Sequence, residues 1–341
     1  MGFPCALPRP RTAPPVPSLR WGIMGTGWIA DKFTRSVTTH TGQVISAIGS
    51  RDPEKAKSFS ATHGITKAYG SYDALVSDPE IDVIYVATPH NAHHQHVLLA
   101  LNAGKHVLVE KPIAIDRVQA VEMVELSRRK GLFFAEALWT YYLPKFDVIA
   151  QLLESDVLGE IRSVYTEYGE NFSTDHRIFD PSLAGGPLLD LGTYPVSLLT
   201  KLMGDFVRVT GSGQWDRSGV MGQLAVVLAN GEGNIGTMAT GLYGFTPTNA
   251  IITGSRASIW FDDEFHLPGG FTLRSRDGSQ VLHHEEERAT HLDGLFHEAV
   301  EVARCIGLGL TETPCRNHED ALATMTTLDR IRDALDLRWR Q

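Results

Sequence analysis

Cysteine is scarce in this sequence: three in 341 residues, Cys5, Cys305 and Cys315, with no C-x-x-C spacing. An odd count with one member in the N-terminal stretch argues against a disulfide framework and a zinc site, and fits a reducing cytoplasm. Long apolar runs are missing as well. None approaches the roughly 18 residues that span a bilayer, which excludes a membrane span. Basic residues are in deficit, 31 against 40 acidic ones, for a net charge of -9. That excludes a general nucleic-acid binder and an anionic membrane surface as partner, while leaving room for a local basic pocket that takes a phosphate. The N-terminus also lacks the basic-then-apolar order of a signal peptide. Six of its first 17 residues are proline, so residues 1–18 read as a disordered extension, or an early start, ahead of Leu19.

What is present is an ordinary globular composition, 43% hydrophobic and 21% charged, in a chain long enough for two domains. From Leu19 onward, short apolar runs alternate with helical segments. Strands are expected at 19–24, 44–50, 81–88, 106–110 and 132–135, with helices at 29–38, 54–63, 98–103 and 117–130. Asp52-Pro53 and Asp116 sit at helix starts, as caps should. Apolar strands alternating with helices imply a parallel sheet covered on both faces. After Trp139 the texture changes. Runs at 163–168, 223–228, 233–240 and 257–261 have strand character with few helices between them, which predicts an α+β domain with a mainly antiparallel sheet. Amphipathic helices follow at 294–307 and 319–335. The expected organisation is a Rossmann domain over 19–138 and an α+β domain over 139–341, whose last helices pack back on the first.

Four segments carry chemistry. Gly25-Thr26-Gly27-Trp28-Ile29-Ala30 is a G-x-G-x-x-A pattern that follows a strand and opens a helix, the context that a dinucleotide fingerprint requires. Gly25 permits the turn, Gly27 the approach of a pyrophosphate, and Ala30 close helix packing; the helix start then offers N–H groups to the phosphates. The alternative is a tight turn with no ligand. At the end of the second strand, where an NAD site places a carboxylate for the ribose, stand Ser50 and Arg51. A hydroxyl and a guanidinium suit the 2′-phosphate of NADP, and Asp52 reads as a helix cap instead. Glu110-Lys111-Pro112 closes a parallel strand at the end where open α/β sheets bind ligands. Finally, Asp190 and Tyr194 are four apart and would share one helix face. Asp, Tyr and Lys together can run acid–base chemistry on a carbonyl: the phenol gives or takes the proton, and the ammonium favours its ionised form and holds the oxygen. By pattern alone, Tyr194 reads more readily as a buried structural tyrosine than as an acid/base group, and the alternative for Lys111 is an ordinary surface lysine.

Taken in order, these segments resemble the Gfo/Idh/MocA family of oxidoreductases (glucose–fructose oxidoreductase, inositol dehydrogenase, rhizopine catabolism), in its dimeric dihydrodiol dehydrogenase-like branch. The resemblance runs from Leu19 almost to the end, on Gly25-x-Gly27, Ala87-Thr88-Pro89, Glu110-Lys111-Pro112, Glu136-Ala137-Leu138-Trp139-Thr140 and Asp190-Leu191-Gly192-Thr193-Tyr194. It implies that Lys111, Asp190 and Tyr194 meet at a nicotinamide, that Thr88, Pro89, His93 and Glu110 lie near the cofactor, and that Trp139 walls the substrate. It also implies that the antiparallel sheet pairs subunits into a homodimer or homotetramer. Two departures bear on the substrate: Tyr141 stands where the branch usually has Arg, and Met221 follows Gly219-Val220 where many relatives have Asp.

Three other patterns are set aside. The Y-x-x-x-K spacing of Tyr141 and Lys145 contains Pro144, which would break the aligning helix. The cluster His90, His93, His94 and His96 lacks carboxylate or cysteine company, so no metal is expected. Asp175-His176-Arg177 is an exposed loop from which Arg177 could reach a substrate. The expectation is a cytoplasmic NADP-preferring oxidoreductase, in which the cofactor carries the hydride, acting on an alcohol, ketone or hemiacetal carbon of a sugar, polyol or cyclic diol. A sugar-nucleotide 3-ketoreductase and a non-catalytic NADP-binding regulator remain as alternatives.

Overall fold

The computed structural model describes residues 3–11 and 14–335, which divide into two compact units. The first comprises 12–142 and 290–321. Its sheet has six parallel strands, β1 (Arg20–Met24), β2 (Val44–Gly49), β3 (Lys67–Tyr69), β4 (Val83–Val86), β5 (His106–Glu110) and β6 (Phe134–Ala137), in the order β3-β2-β1-β4-β5-β6. The order reverses between β1 and β4, the switch point at which doubly wound sheets take their ligands. Helices α1 (Trp28–His40), α2 (Pro53–His63), α3 (Tyr72–Val76), α4 (His93–Asn102) and α5 (Arg117–Lys130) connect the strands. The caps are those expected from the sequence. The Asp52 carboxylate accepts the Glu54 and Lys55 amides, and Asp116 accepts that of Gln119 at 2.9 Å.

Trp21, Ile23, Phe33, Val37, Tyr85, Leu108 and Phe133 form the core of this unit. Phe33 stacks on Tyr85, and the Trp21 indole donates to Gln43 at 3.1 Å. Helix α10 (Phe296–Gly307), after the single turn α9 (His291–Gly294), adds Ala299, Val302, Ala303 and Cys305 to the same core.

The second unit comprises Leu143–Ala289, Leu322–Gln341 and Met1–Arg11. It is built on an eight-stranded sheet of β7 (Ile161–Gly169), β8 (Phe206–Trp215), β9 (Met221–Asn230), β10 (Ile235–Gly241), β11 (Ala250–Gly254), β12 (Ala257–Phe261), β13 (Phe271–Ser275) and β14 (Val281–His284). The order is β14-β13-β12-β11-β7-β10-β9-β8, and only β7 and β10 pair in parallel. Its helices are α6 (Pro144–Glu154), the short α7 (Pro187–Asp190), α8 (Thr193–Met203) and most of α11 (His318–Ala334). One sheet face is open, with Tyr165, Val207, Trp215, Val227 and Tyr243 exposed on it, and Phe245 exposed nearby. No described helix is long and apolar enough to cross a membrane.

The proline-rich extension, expected to be disordered, makes defined contacts where it is described. Arg11 pairs with Asp147 at 3.0 Å and Glu154 at 2.6 Å, and Gln151 donates to the Arg9 carbonyl. Residues 1, 2, 12 and 13 of it lie outside the described residues. Arg11 and Glu154 are more than half exposed, and such pairs contribute roughly 0–1 kcal/mol. Removing residues 1–11 is therefore expected to lower the melting temperature by a few degrees at most, as calorimetry would record. A collapse of the transition would show that the segment is part of the core.

Candidate active site

The first unit supplies the dinucleotide end. Gly25 has φ +110°, and a Cβ there would stand 2.6 Å from the Ala87 carbonyl oxygen, so only glycine fits the turn. Its N–H donates to Gly49, which ties the loop to the end of β2. At Gly27 an added Cβ meets nothing within 4 Å, so the helix start has room beside it for a pyrophosphate, and no side chain caps α1. Those free amides and the dipole end suit an anion. The residues present thus fit a dinucleotide. Gly25→Ala is expected to abolish cofactor binding and lower the melting temperature, since backbone must move to admit the methyl. Near-normal titration of NADPH fluorescence by this variant would count against the turn.

At the end of β2, Ser50 is buried and its hydroxyl accepts the Asp52 amide at 3.1 Å, while Arg51 is exposed. Asp52 is committed to capping α2. The Arg51 charge faces Tyr72 and His96; burial, and then Arg51, push the His96 imidazole down to about 4. His96 is a partner of Thr88, with Nδ1 2.9 Å from its hydroxyl. His93, expected near the cofactor, is held by backbone on both sides. Its ring has no exposed surface, and its nitrogens lie 2.8 Å from the carbonyls of Thr88 and Pro112. It braces two loops. His94 pairs with Glu122, so the histidines point to different partners. Among the described residues no His, Cys, Asp or Glu group could hold a metal ion.

Glu110 is buried at the end of β5, where it accepts the Tyr85 hydroxyl and the Lys111 amide. Lys111 is partly exposed, and its bond to Pro112 is cis. Two residues missed in the sequence stand nearby. His291 stacks on Trp139 at 4.8 Å and meets the Trp28 ring edge-on at 5.3 Å. Burial, then the charges of Lys111 and Lys32, push it down to about 4, so it is neutral at pH 7. Trp139, expected to wall a substrate, is only 2% exposed. Glu298 on α10 is fully buried, and its carboxylate oxygens find no hydrogen-bond partner among the described residues. Burial, then Glu110, raise its carboxyl well above the usual carboxylate range. Histidine and glutamate at helix starts give no periodic signal, which is why both escaped notice.

The second unit holds Asp190 and Tyr194, the residues expected to run acid–base chemistry. Asp190 and Tyr194 do not share one helix: Asp190 ends α7 and Tyr194 lies in the first turn of α8. The join is tight because a Cβ at Gly192 would stand 2.5 Å from the Leu188 carbonyl oxygen. Both residues are buried, and Arg177 lies 3.3 Å from Asp190. The Tyr194 ring packs against His266 at 4.9 Å and Tyr168 at 5.6 Å. Tyr168 donates to Glu170 at 2.6 Å, and burial lifts its phenol well above the ordinary value. Tyr168 and His266 were not singled out from the sequence, one on a strand and one in a loop. Of the residues set aside, Tyr141 stacks under Arg316 at 5.4 Å in the first unit, and Lys145, at the start of α6 behind Pro144, donates to the Leu267 carbonyl.

Residues 19–137 match the model of an oxidoreductase family with an NAD-binding Rossmann fold, and 146–260 match the GFO/IDH/MocA C-terminal domain. The chain is 32% identical over 332 residues to the trans-1,2-dihydrobenzene-1,2-diol dehydrogenase of Bos taurus, covering 95% of this chain and 99% of that protein. The enzyme of the same name from Xenopus laevis is 31% identical, with 93% and 98% covered. Among solved structures, a 3-ketoreductase from Actinomadura kijaniata in complex with NADP and TDP-benzene is 26% identical with a TM-score of 0.79, over 94% of this chain and 98% of that one. An aldose–aldose oxidoreductase from Caulobacter crescentus, 22% identical, shares the fold with a TM-score of 0.82 over the same shares. With the glycine turn, the Glu-Lys-Pro strand end and the Asp190–Tyr194 pair all in place, the chain belongs to the Gfo/Idh/MocA family of NAD(P)-binding oxidoreductases.

Proposed function

We propose that the chain is an NADP-preferring dehydrogenase or reductase acting on a secondary alcohol, ketone or hemiacetal carbon of a sugar, polyol or cyclic diol. The observation that carries this reading is a buried Tyr194 four residues from a buried, Arg177-linked Asp190. When bound, the nicotinamide gives or takes the hydride at C4. Tyr194 gives the proton to the reacting oxygen in reduction and takes it in oxidation. Lys111 binds that oxygen and favours the phenolate; Asp190 orients the polar groups, and Arg177 is a polar contact for the substrate. Sugars, polyols and cyclic diols all present adjacent hydroxyls that such groups can hold, and the names of the relatives support this range.

The test is a panel of aldoses, inositols, dihydrodiols, diketones and nucleotide-linked 3-keto sugars, read by nicotinamide absorbance with both cofactors. Turnover only of nucleotide-linked 3-keto sugars would move the reading to the ketoreductase that the TDP-benzene complex suggests. Tight NADPH binding without turnover of any compound would make the chain a regulator. We further propose a reducing, cytoplasmic setting and a homodimer or homotetramer formed through the open sheet face with its exposed Tyr165, Trp215 and Tyr243. A monomer in sedimentation equilibrium would contradict the oligomer.

A further inference from the structure

The edge strand β6 carries a carboxylate within an apolar run. The Glu136 side chain is 1% exposed and is held from two sides. One oxygen accepts the backbone N–H of Ile113 at 2.8 Å; the other accepts Nε of Arg316 at 2.6 Å. Arg316 is fully buried, lies 180 residues further along the chain, and stacks over Tyr141. Its segment also covers the free edge of β6: the Phe134 N–H donates to the Thr311 carbonyl at 3.0 Å, and the His318 ring lies 2.9 Å from the Phe134 carbonyl. Ile113 is two residues past Lys111. Between them, the Lys111 N–H is held by Glu110, the Pro112 carbonyl by His93 and the Ile113 N–H by Glu136. A fully buried ion pair stabilises a fold little better than apolar residues of similar size, and often worse. Its use here is better explained by what it fixes.

We propose that Glu136 and Arg316 are positioning residues for Lys111: they fix the Ile113 amide and so the loop that aims the ammonium. This rests on the role assigned to Lys111 above. The loop leaves β5 at the edge half of the sheet, where β6 is its only neighbour on that side. Without a rigid acceptor on β6, the Ile113 amide could turn, and the lysine with it. Misplacing a reacting group by about 1 Å can cost 10²-fold in rate.

The test replaces the pair by apolar residues of similar volume, Glu136→Leu with Arg316→Met, in the wild-type and Lys111→Met backgrounds. In the wild type, kcat is expected to fall about 10- to 100-fold with the melting temperature and NADPH affinity retained. In the Lys111→Met background the same change should cost nothing further, because there is no ammonium left to aim. Glu136→Gln with Arg316→Met keeps an acceptor for Ile113 and should recover most of the rate. Unchanged kcat in the first variant overturns the proposal. So does an equal fall in both backgrounds, which would mean a general structural role. If the apolar pair does not fold, Arg316→Lys in the same two backgrounds decides by the same comparison. Should Lys111→Met alone turn over normally, the role of Lys111 fails first and is seen to fail separately.

Discussion

Tyr194→Phe is expected to lower kcat by about 10²- to 10⁴-fold, the range for losing a positioned acid/base group, with little change in melting temperature or NADPH affinity. The substitution removes one hydroxyl. The ring keeps its packing on His266 and Tyr168, and the adjoining helix keeps its bonds, including Val196 N–H to the Gly192 carbonyl at 2.9 Å. Stability is therefore insulated from the change, and a kinetic loss can be assigned to chemistry. Lys111→Met should produce a loss of similar kind by removing the ammonium. If the two groups serve one proton transfer, the double variant should be little worse than either single one, since groups acting as a unit are strongly non-additive. Single-turnover measurements would separate chemistry from product release. A Tyr194→Phe enzyme with near-normal kcat and rate-limiting chemistry would remove Tyr194 from the role.

Which parts of this arrangement the sequence could reveal follows from the range of each interaction. The glycine turn, the Asp52 and Asp116 caps and the strand β5 are set by neighbours within a few residues, and they appear where local reading puts them. The strand β6 does not. An apolar run is broken by Glu136, so the expected strand stops at Ala135, whereas the real one continues to Ala137. Glu136 can sit inside it because Arg316 neutralises it from far along the chain. Helix α4 begins at His93 rather than Leu98 for a related reason: His93 and His96 are buried on it by bonds to loop carbonyls and Thr88, and histidine gives no apolar period. β3 and α3 are too short for periodicity to register. β8 is almost wholly exposed and has no inward-outward alternation to read. Near the candidate site, the residues with motif spacing were legible, and His266 in a distant loop and His291 at a distant helix start were not.

Cofactor choice should turn on Arg51. Arg51→Ala is expected to weaken NADPH binding about 10- to 150-fold while leaving NADH much as it was. The magnitude is that of a charge-assisted hydrogen bond, roughly 1.5–3 kcal/mol, converted at tenfold per about 1.4 kcal/mol. The geometry around β2 favours a phosphate. Of the carboxylates an NAD site would use, the nearest, Asp52, has its oxygen engaged with the first amides of α2. The Ser50 hydroxyl accepts from Asp52 N–H, which leaves its own proton to donate. His96, facing Arg51, is pushed down to about 4 and is uncharged at pH 7, so the preference should not depend on its titration near neutrality. The net charge of -9 opposes an anion only weakly, because salt screens it beyond about 10 Å. Lowering the salt strengthens the short-range Arg51–phosphate attraction more than the distant repulsion from the net charge, so it should widen the NADPH preference of the wild type and not that of Arg51→Ala. Fluorescence titration with both cofactors at two ionic strengths measures this. Equal affinity for NADH and NADPH in the wild type would rule out the preference; equal weakening of both by Arg51→Ala would put Arg51 on the part that the two cofactors share.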